Sequence, residues 1–172
     1  ALIALVFAIG PVHGAASEDF TTLLDESWEW QPRSYPLFAS QLGDRRYNDQ
    51  WTDRSRAAIV ARHEQTREFL RRVYAIDRAA LSDADQLNYE LFRRELQNNV
   101  DAIAFHGHLM PFSHSGGVQN LDSNTNYLNF FTLRDYEDWL SRLSKIGDVV
   151  EQVIELAERG RKSGYMPPKI LM

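Results

Sequence analysis

Hydrophobic and polar positions along this chain recur with the period of a helix rather than of a strand. Phe20, Leu23, Leu24 and Ser27-Trp28 fall at three- and four-residue spacing, which predicts a first helix with one buried face and Ser17 as its cap. Pro32 and Pro36 punctuate the chain after it. A short helical turn from Pro36 to Leu42 is expected to close at Gly43, a residue free to adopt the left-handed conformation that ends helices. Asp44 to Asp49 reads as a polar loop. From Ser55 to Ile76, Ile59, Phe69, Leu70, Val73 and Ile76 form one stripe opposite Arg and Glu, the pattern of a long amphipathic helix. Ser82 then reads as a cap, with Asp83 and Asp85 in the first turn where the helix dipole favours acids. That helix runs through Leu87, Leu91, Leu96, Val100 and Ile103.

Between Phe105 and Phe131 the periodicity stops, giving way to Gly107, Pro111, Gly116, Gly117 and a cluster of Asn, Ser and Asp. Long irregular segments are uncommon in compact proteins and tend to carry function, so this loop is the first place to look for a binding surface. Thr132 opens another helix, with Asp135 in the capping-box position. Tyr136, Trp139, Leu140, Leu143, Ile146, Val150, Val153, Ile154 and Ala157 continue it as one apolar face, with Gly147 as a kink and Gly164 as the stop before Pro167-Pro168. No strand pattern of comparable strength is present. The expected fold is all-α, built of long antiparallel helices with one long irregular loop.

The first sixteen residues have a different character. An apolar run from Ala1 to Ile9 is followed by Gly10-Pro11 and the small residues Gly14-Ala15-Ala16, and the first charged residue is Glu18. That order predicts a secretory signal peptide over 1–16, with 17–172 as the exported domain. A retained anchor or a buried helix is the competing reading, but the run falls well short of the ~20 residues that span a bilayer. The Met and the Lys or Arg residues that usually precede such a run are missing, and the other end stops just after Pro167-Pro168, so the expectation is a chain clipped at both ends. The expected location is periplasmic or secreted, with no membrane contact after cleavage.

Composition narrows the function classes. The 172 residues carry 24 acidic and 19 basic side chains, a net charge of −5, which disfavours nucleic acid because phosphate neutralisation needs clustered positive charge. Cysteine is absent, excluding disulfides and a lipid on an N-terminal Cys. A hydrophobic share of 44% with 25% charged residues predicts a folded globular chain.

The candidate chemistry is sparse. His63-Glu64-Gln65-Thr66-Arg67 nearly spells the helical zinc-protease signature, yet Arg67 stands where a second His must ligate, and a guanidinium has no acceptor for a metal. The segment therefore reads as a solvated helix face. His106, His108 and His114 cluster in the irregular loop, where His-X-His spacing can place two imidazoles on one metal; with no acid between Asp101 and Asp122, surface hydrogen bonding or ligand contact is the better reading. Ser113 and Ser115 lack a nucleophile-elbow or phosphate-loop pattern. Trp28, Trp30, Tyr35 and Phe38, with Phe130, Phe131, Tyr136 and Trp139, suit a sugar or peptide groove, but helical spacing points first to core. No catalytic, metal-ligating or binding residue is singled out.

Several strings nevertheless resemble, in order and spacing, the N-terminal part of the bacterial domain of unknown function 885 family. They are Leu42-Gly43-Asp44-Arg45-Arg46-Tyr47-Asn48-Asp49 with Thr52-Asp53, Leu81-Ser82 with Asp85 to Phe92, Tyr136-Glu137-Asp138-Trp139-Leu140, and Gly164-Tyr165-Met166-Pro167-Pro168. The resemblance implies a mostly helical, usually exported protein several times longer than this sequence, similar to gluzincin-type zinc metallopeptidases whose His-Glu-X-X-His helix lies in the C-terminal half. It implies zinc in the parent protein, no cofactor held by the present residues, a peptide substrate, and the C-terminal half of the same chain as a partner. The helices here would then form one wall or lid of a cleft. The rival expectation is a non-catalytic periplasmic helical module that binds a peptide or scaffolds a partner. A piece of a larger helical protein would also expose an apolar face to water.

Overall fold

The computed structural model describes residues 12–113 and 116–171; most of the expected leader lies outside them, as does His114. Six α-helices follow one another: α1 (Val12–Ser34), α2 (Pro36–Gln41), α3 (Arg56–Ala75), α4 (Asp83–Ala102), α5 (Leu133–Ser144) and α6 (Ile146–Lys162). Among the described residues there is no strand, only an isolated bridge between Ser113 and Gly116. The all-α expectation holds.

The start of α1 differs from the expected one. The helix is already formed at Val12, so Ser17 is an interior residue, and its hydroxyl donates to the Asp85 carboxylate at 3.0 Å instead of capping. Nothing in Val12 to Ala16 breaks a helix, and α1 carries Pro32 in its last turn at the cost of the one i→i−4 hydrogen bond that its missing N–H removes. The other predicted starts are realised. Ser55 accepts from the Ala58 N–H and Ser82 from the Asp85 N–H, each satisfying one of the donors a helix leaves free at its beginning. Pro36 opens α2, and Gly43, at φ +80°, follows its end.

The main core lies where α1, α3 and α4 meet. Phe20, Leu23, Phe69, Leu70, Val73, Tyr89 and Leu96 are buried there, with Leu81 from the turn before α4. Each large side chain removed from water contributes about 1.5–3 kcal/mol, against roughly 0–1 kcal/mol for an exposed ion pair such as Arg71–Glu68, so apolar burial holds this three-helix unit together. Within α4 the inward face is Tyr89 and Leu96. Leu87 and Leu91, expected on the buried stripe, point outward.

The α5 helix inverts the expected pattern further. Its predicted apolar face is exposed, with Leu140 at 65% and Tyr136 at 52%, whereas Asp135 and Arg142 are buried. The reason lies in the segment from Ser40 to Trp51, which supplies polar partners. Arg45 ion-pairs with Asp135, whose carboxylate also accepts from the Thr132 N–H and hydroxyl in a capping box. Arg142, fully buried, donates from Nη2 to the Ser40 hydroxyl at 2.9 Å and to the Tyr47 carbonyl at 2.8 Å. Lys145 Nζ reaches the Asp49 carbonyl at 2.8 Å. The predicted polar loop is thus the dock for α5. The helix breaks at Lys145, two residues earlier than Gly147, and α6 resumes with Val149, Val153 and Leu156 inward.

Candidate functional site

A cavity of about 650 Å³ opens between α1, α2, α3 and α4. Its walls follow from helix geometry. Trp30 and Phe69 lie on the faces by which α1 and α3 approach each other, with ring centroids 5.6 Å apart, and the Tyr35 ring stands edge-on to Trp30 at 6.0 Å. The short α2 helix contributes Leu37, Phe38 and Gln41. Phe92 on α4 extends the aromatic lining.

Around these rings sits a polar set: Gln31 and Gln41, Thr52, Arg62, His63 and Thr66 of α3, Glu95 and Asn99 of α4, and His108. Amides and hydroxyls both donate and accept, so they can serve either polarity of a ligand. The Arg62 guanidinium lies 5.4 Å from the centroid of the Tyr35 ring, which orients it while leaving its N–H donors free. Among the described residues neither Arg62 nor Glu95 has an ion-pair partner.

His63 and His108 meet at one end of the cavity with ring centroids 5.7 Å apart. His106 lies 6.0 Å from His108, and Tyr165 stands edge-on to His106 at 5.1 Å. The turn carrying the loop histidines is seated on α6. Gly160 has no side chain there, and a Cβ would strike the Leu109 carbonyl, while its own carbonyl accepts from the Tyr165 N–H at 2.8 Å. His106 turns the chain in the left-handed region at φ +50°, a conformation His tolerates better than branched residues.

Burial pushes the pKa of both His63 and His108 down. Arg67, Arg62 and His106 add to the effect on His63, with Glu64 opposing, while His63, His106 and Arg159 add to it on His108. Both imidazoles are therefore neutral at pH 7. The flanking charges are predominantly cationic, and among the described residues no group of three or more His, Cys, Asp or Glu is placed to hold a metal ion.

The loop histidines expected in the 105–131 segment are thus joined by one residue from the His63–Arg67 segment, and Arg67 is an outward residue paired with Glu64. Ser113 donates to the Gly116 carbonyl within its own tight turn. Of the aromatic candidates, Trp30, Tyr35 and Phe38 line the cavity, and Trp30 also packs against the main core beside Phe69. Trp28 and Phe131 are exposed, Phe130 packs on Tyr136, and Trp139 packs on Trp51. Arg62, Glu95, Asn99 and the two glutamines went unnoticed because an isolated polar residue on an amphipathic helix carries no signal of its own.

Fold and site together define an all-helical domain with an open, mixed aromatic and polar cleft. Residues 36–172 match the family described as bacterial protein of unknown function (DUF885), and the chain belongs to that family. No curated protein and no solved structure matches it.

Proposed function

We propose that these helices form the substrate-holding wall of an exported, zinc-dependent peptidase that acts on short peptides, the metal being held by residues outside those described. The observation that carries this reading is the cavity between α1, α2, α3 and α4. Its aromatic faces suit amino-acid side chains, and Gln31, Gln41 and Asn99 match the donors and acceptors of a peptide backbone. Its volume lies within the range that holds drug-sized ligands, which a short peptide resembles in bulk.

The peptidase class rests on the resemblance of the family strings, and export rests on the apolar run and the small residues after it. With the zinc assigned to residues outside those described, the part of the present ones is to bind, orient and shield the peptide. The exposed Tyr136, Leu140 and Leu143 on α5 suit the remaining half of the same chain as a cover. A non-catalytic peptide-binding or scaffolding module draws on the same cavity.

Hydrolysis of short peptides by the intact protein separates the two. The account expects activity that disappears when zinc is stripped and returns on adding it, with His63→Ala and His108→Ala variants retaining the wild-type zinc content. Hydrolysis surviving rigorous chelation would contradict the zinc assignment, and its complete absence in zinc-loaded protein would favour the binding module.

A further inference from the structure

We propose that the basic end of the cavity, formed by Arg62, His63 and His108, is a subsite for the free C-terminal carboxylate of a short peptide. The inference rests on the peptide reading given above and adds which end of the peptide is read.

Basic residues elsewhere on the chain mostly face acids: Arg45 pairs with Asp135, Arg46 with Glu29 and Asp44, Arg72 with Glu26, and Arg78 with Glu90. The cavity end departs from this. Arg54 is half-buried and lies close enough to Arg62 for the two charges to oppose each other, and no carboxylate among the described residues ion-pairs with either. Arg159 adds a third cation on the side of His108. Keeping like charges together at a half-buried site is unfavourable unless an anion is brought there, and a planar guanidinium matches a carboxylate with two parallel hydrogen bonds.

The stack on Tyr35 fixes the Arg62 guanidinium and consumes none of those donors. Two neutral imidazoles beside it can each offer an N–H to the same anion. Glu95, unpaired on α4, lines the same cavity and supplies the opposite charge, which suits the amino group of a short, zwitterionic peptide.

The test is calorimetric titration of the intact, zinc-stripped protein with the tripeptide Ala-Ala-Phe, with its C-terminal amide, and with the amide of Ala-Asp-Phe. The acid is expected to bind about 10- to 100-fold tighter than its amide, the range of one or two charge-assisted hydrogen bonds. Arg62→Gln should abolish that difference, while Arg134→Gln on the distant, exposed surface of α5 should preserve it. If Arg62→Gln fails to fold, His108→Ala on the same wall should narrow the difference, and no narrowing would overturn the subsite. Equal binding of acid and amide would overturn the carboxylate subsite and leave the peptide reading intact; no binding of any peptide would overturn both. Full recovery of affinity in the Asp-containing amide would show that a side-chain carboxylate is read, overturning the terminal assignment.

Discussion

The indole Nε1 of Trp51 donates to the backbone carbonyl of Arg142 at 2.6 Å, and the guanidinium of that same Arg142 lies 5.6 Å from the centroid of the Trp51 ring. One residue pair thereby closes a polar contact and a cation–π contact across 91 positions of sequence. The arrangement explains how an arginine with no exposed surface is tolerated in α5. Nη2 has two acceptors, while Nε and Nη1 have none, and the ring face partly compensates the charge. Burial pushes the Arg142 pKa down to about 10, with Asp49 and Asp138 opposing, so the group remains cationic at neutral pH.

Replacing Arg142 by Ala removes the dock of α5. The change opens a cavity and removes the guanidinium that ties Ser40 and Tyr47 to α5, so a loss of about 3 kcal/mol or more is expected. Urea denaturation of the variant beside the parent measures it. A loss below about 0.5 kcal/mol, the usual range of surface substitutions, would contradict the docking role.

Gly160→Ala reverses the usual sign of its substitution class. Inside an exposed helix Ala is favoured over Gly by about 1 kcal/mol. Here the added methyl meets the Leu109 backbone carbonyl, which no side-chain rotation can relieve, so the variant should be destabilised by about 1–3 kcal/mol. Amide exchange should quicken at Leu109 and Tyr165 before it changes in the α1–α3–α4 core. Faster exchange in that core alone would contradict the assignment.

His63 and His108 set a stability change with pH. Their folded pKa values lie below the ordinary 6.5, so between the folded and unfolded values the unfolded chain binds more protons. Their full stabilising effect is present above pH 6.5 and is lost as pH falls through the lowered values. The groups facing them are Arg62, Arg67, Glu64, His106 and Arg159, and all but Glu64 act in the same direction. A His63→Gln, His108→Gln double variant should show a flatter melting temperature between pH 7 and 5. An unchanged slope would locate the pH dependence elsewhere.

Helix positions were legible in the sequence wherever a local signal fixes them. Ser82 caps as read, the helix expected from Ser55 begins there, Thr132 and Asp135 form the expected box, and Gly43 and Gly164 adopt positive φ after α2 and α6. The inner face of α5 was not legible. Periodicity counts apolar residues, and it assigned Leu140 inward because the partners that allow Arg142 and Asp135 to be buried come from residues 40–51, some ninety positions away. The family string around Asp44 to Asp49 was recognisable, but its role as that dock depends on long-range contacts that no window of sequence contains. The cavity was half legible: Trp30, Tyr35 and Phe38 cluster in the sequence, whereas the α3 and α4 side chains that complete the lining are brought to them only by the fold.

The most direct test of the central claim is to fill the cavity without touching the core. Ala102, an exposed residue at the end of α4, lines the cleft, and Ala102→Trp places a bulky ring there. Titrated with short peptides, the intact protein should bind them, and the variant should lose at least about tenfold in affinity, roughly 1.4 kcal/mol, at an unchanged melting temperature. Equal peptide affinity in a variant that melts like the parent would contradict the assignment of this cavity as the peptide site.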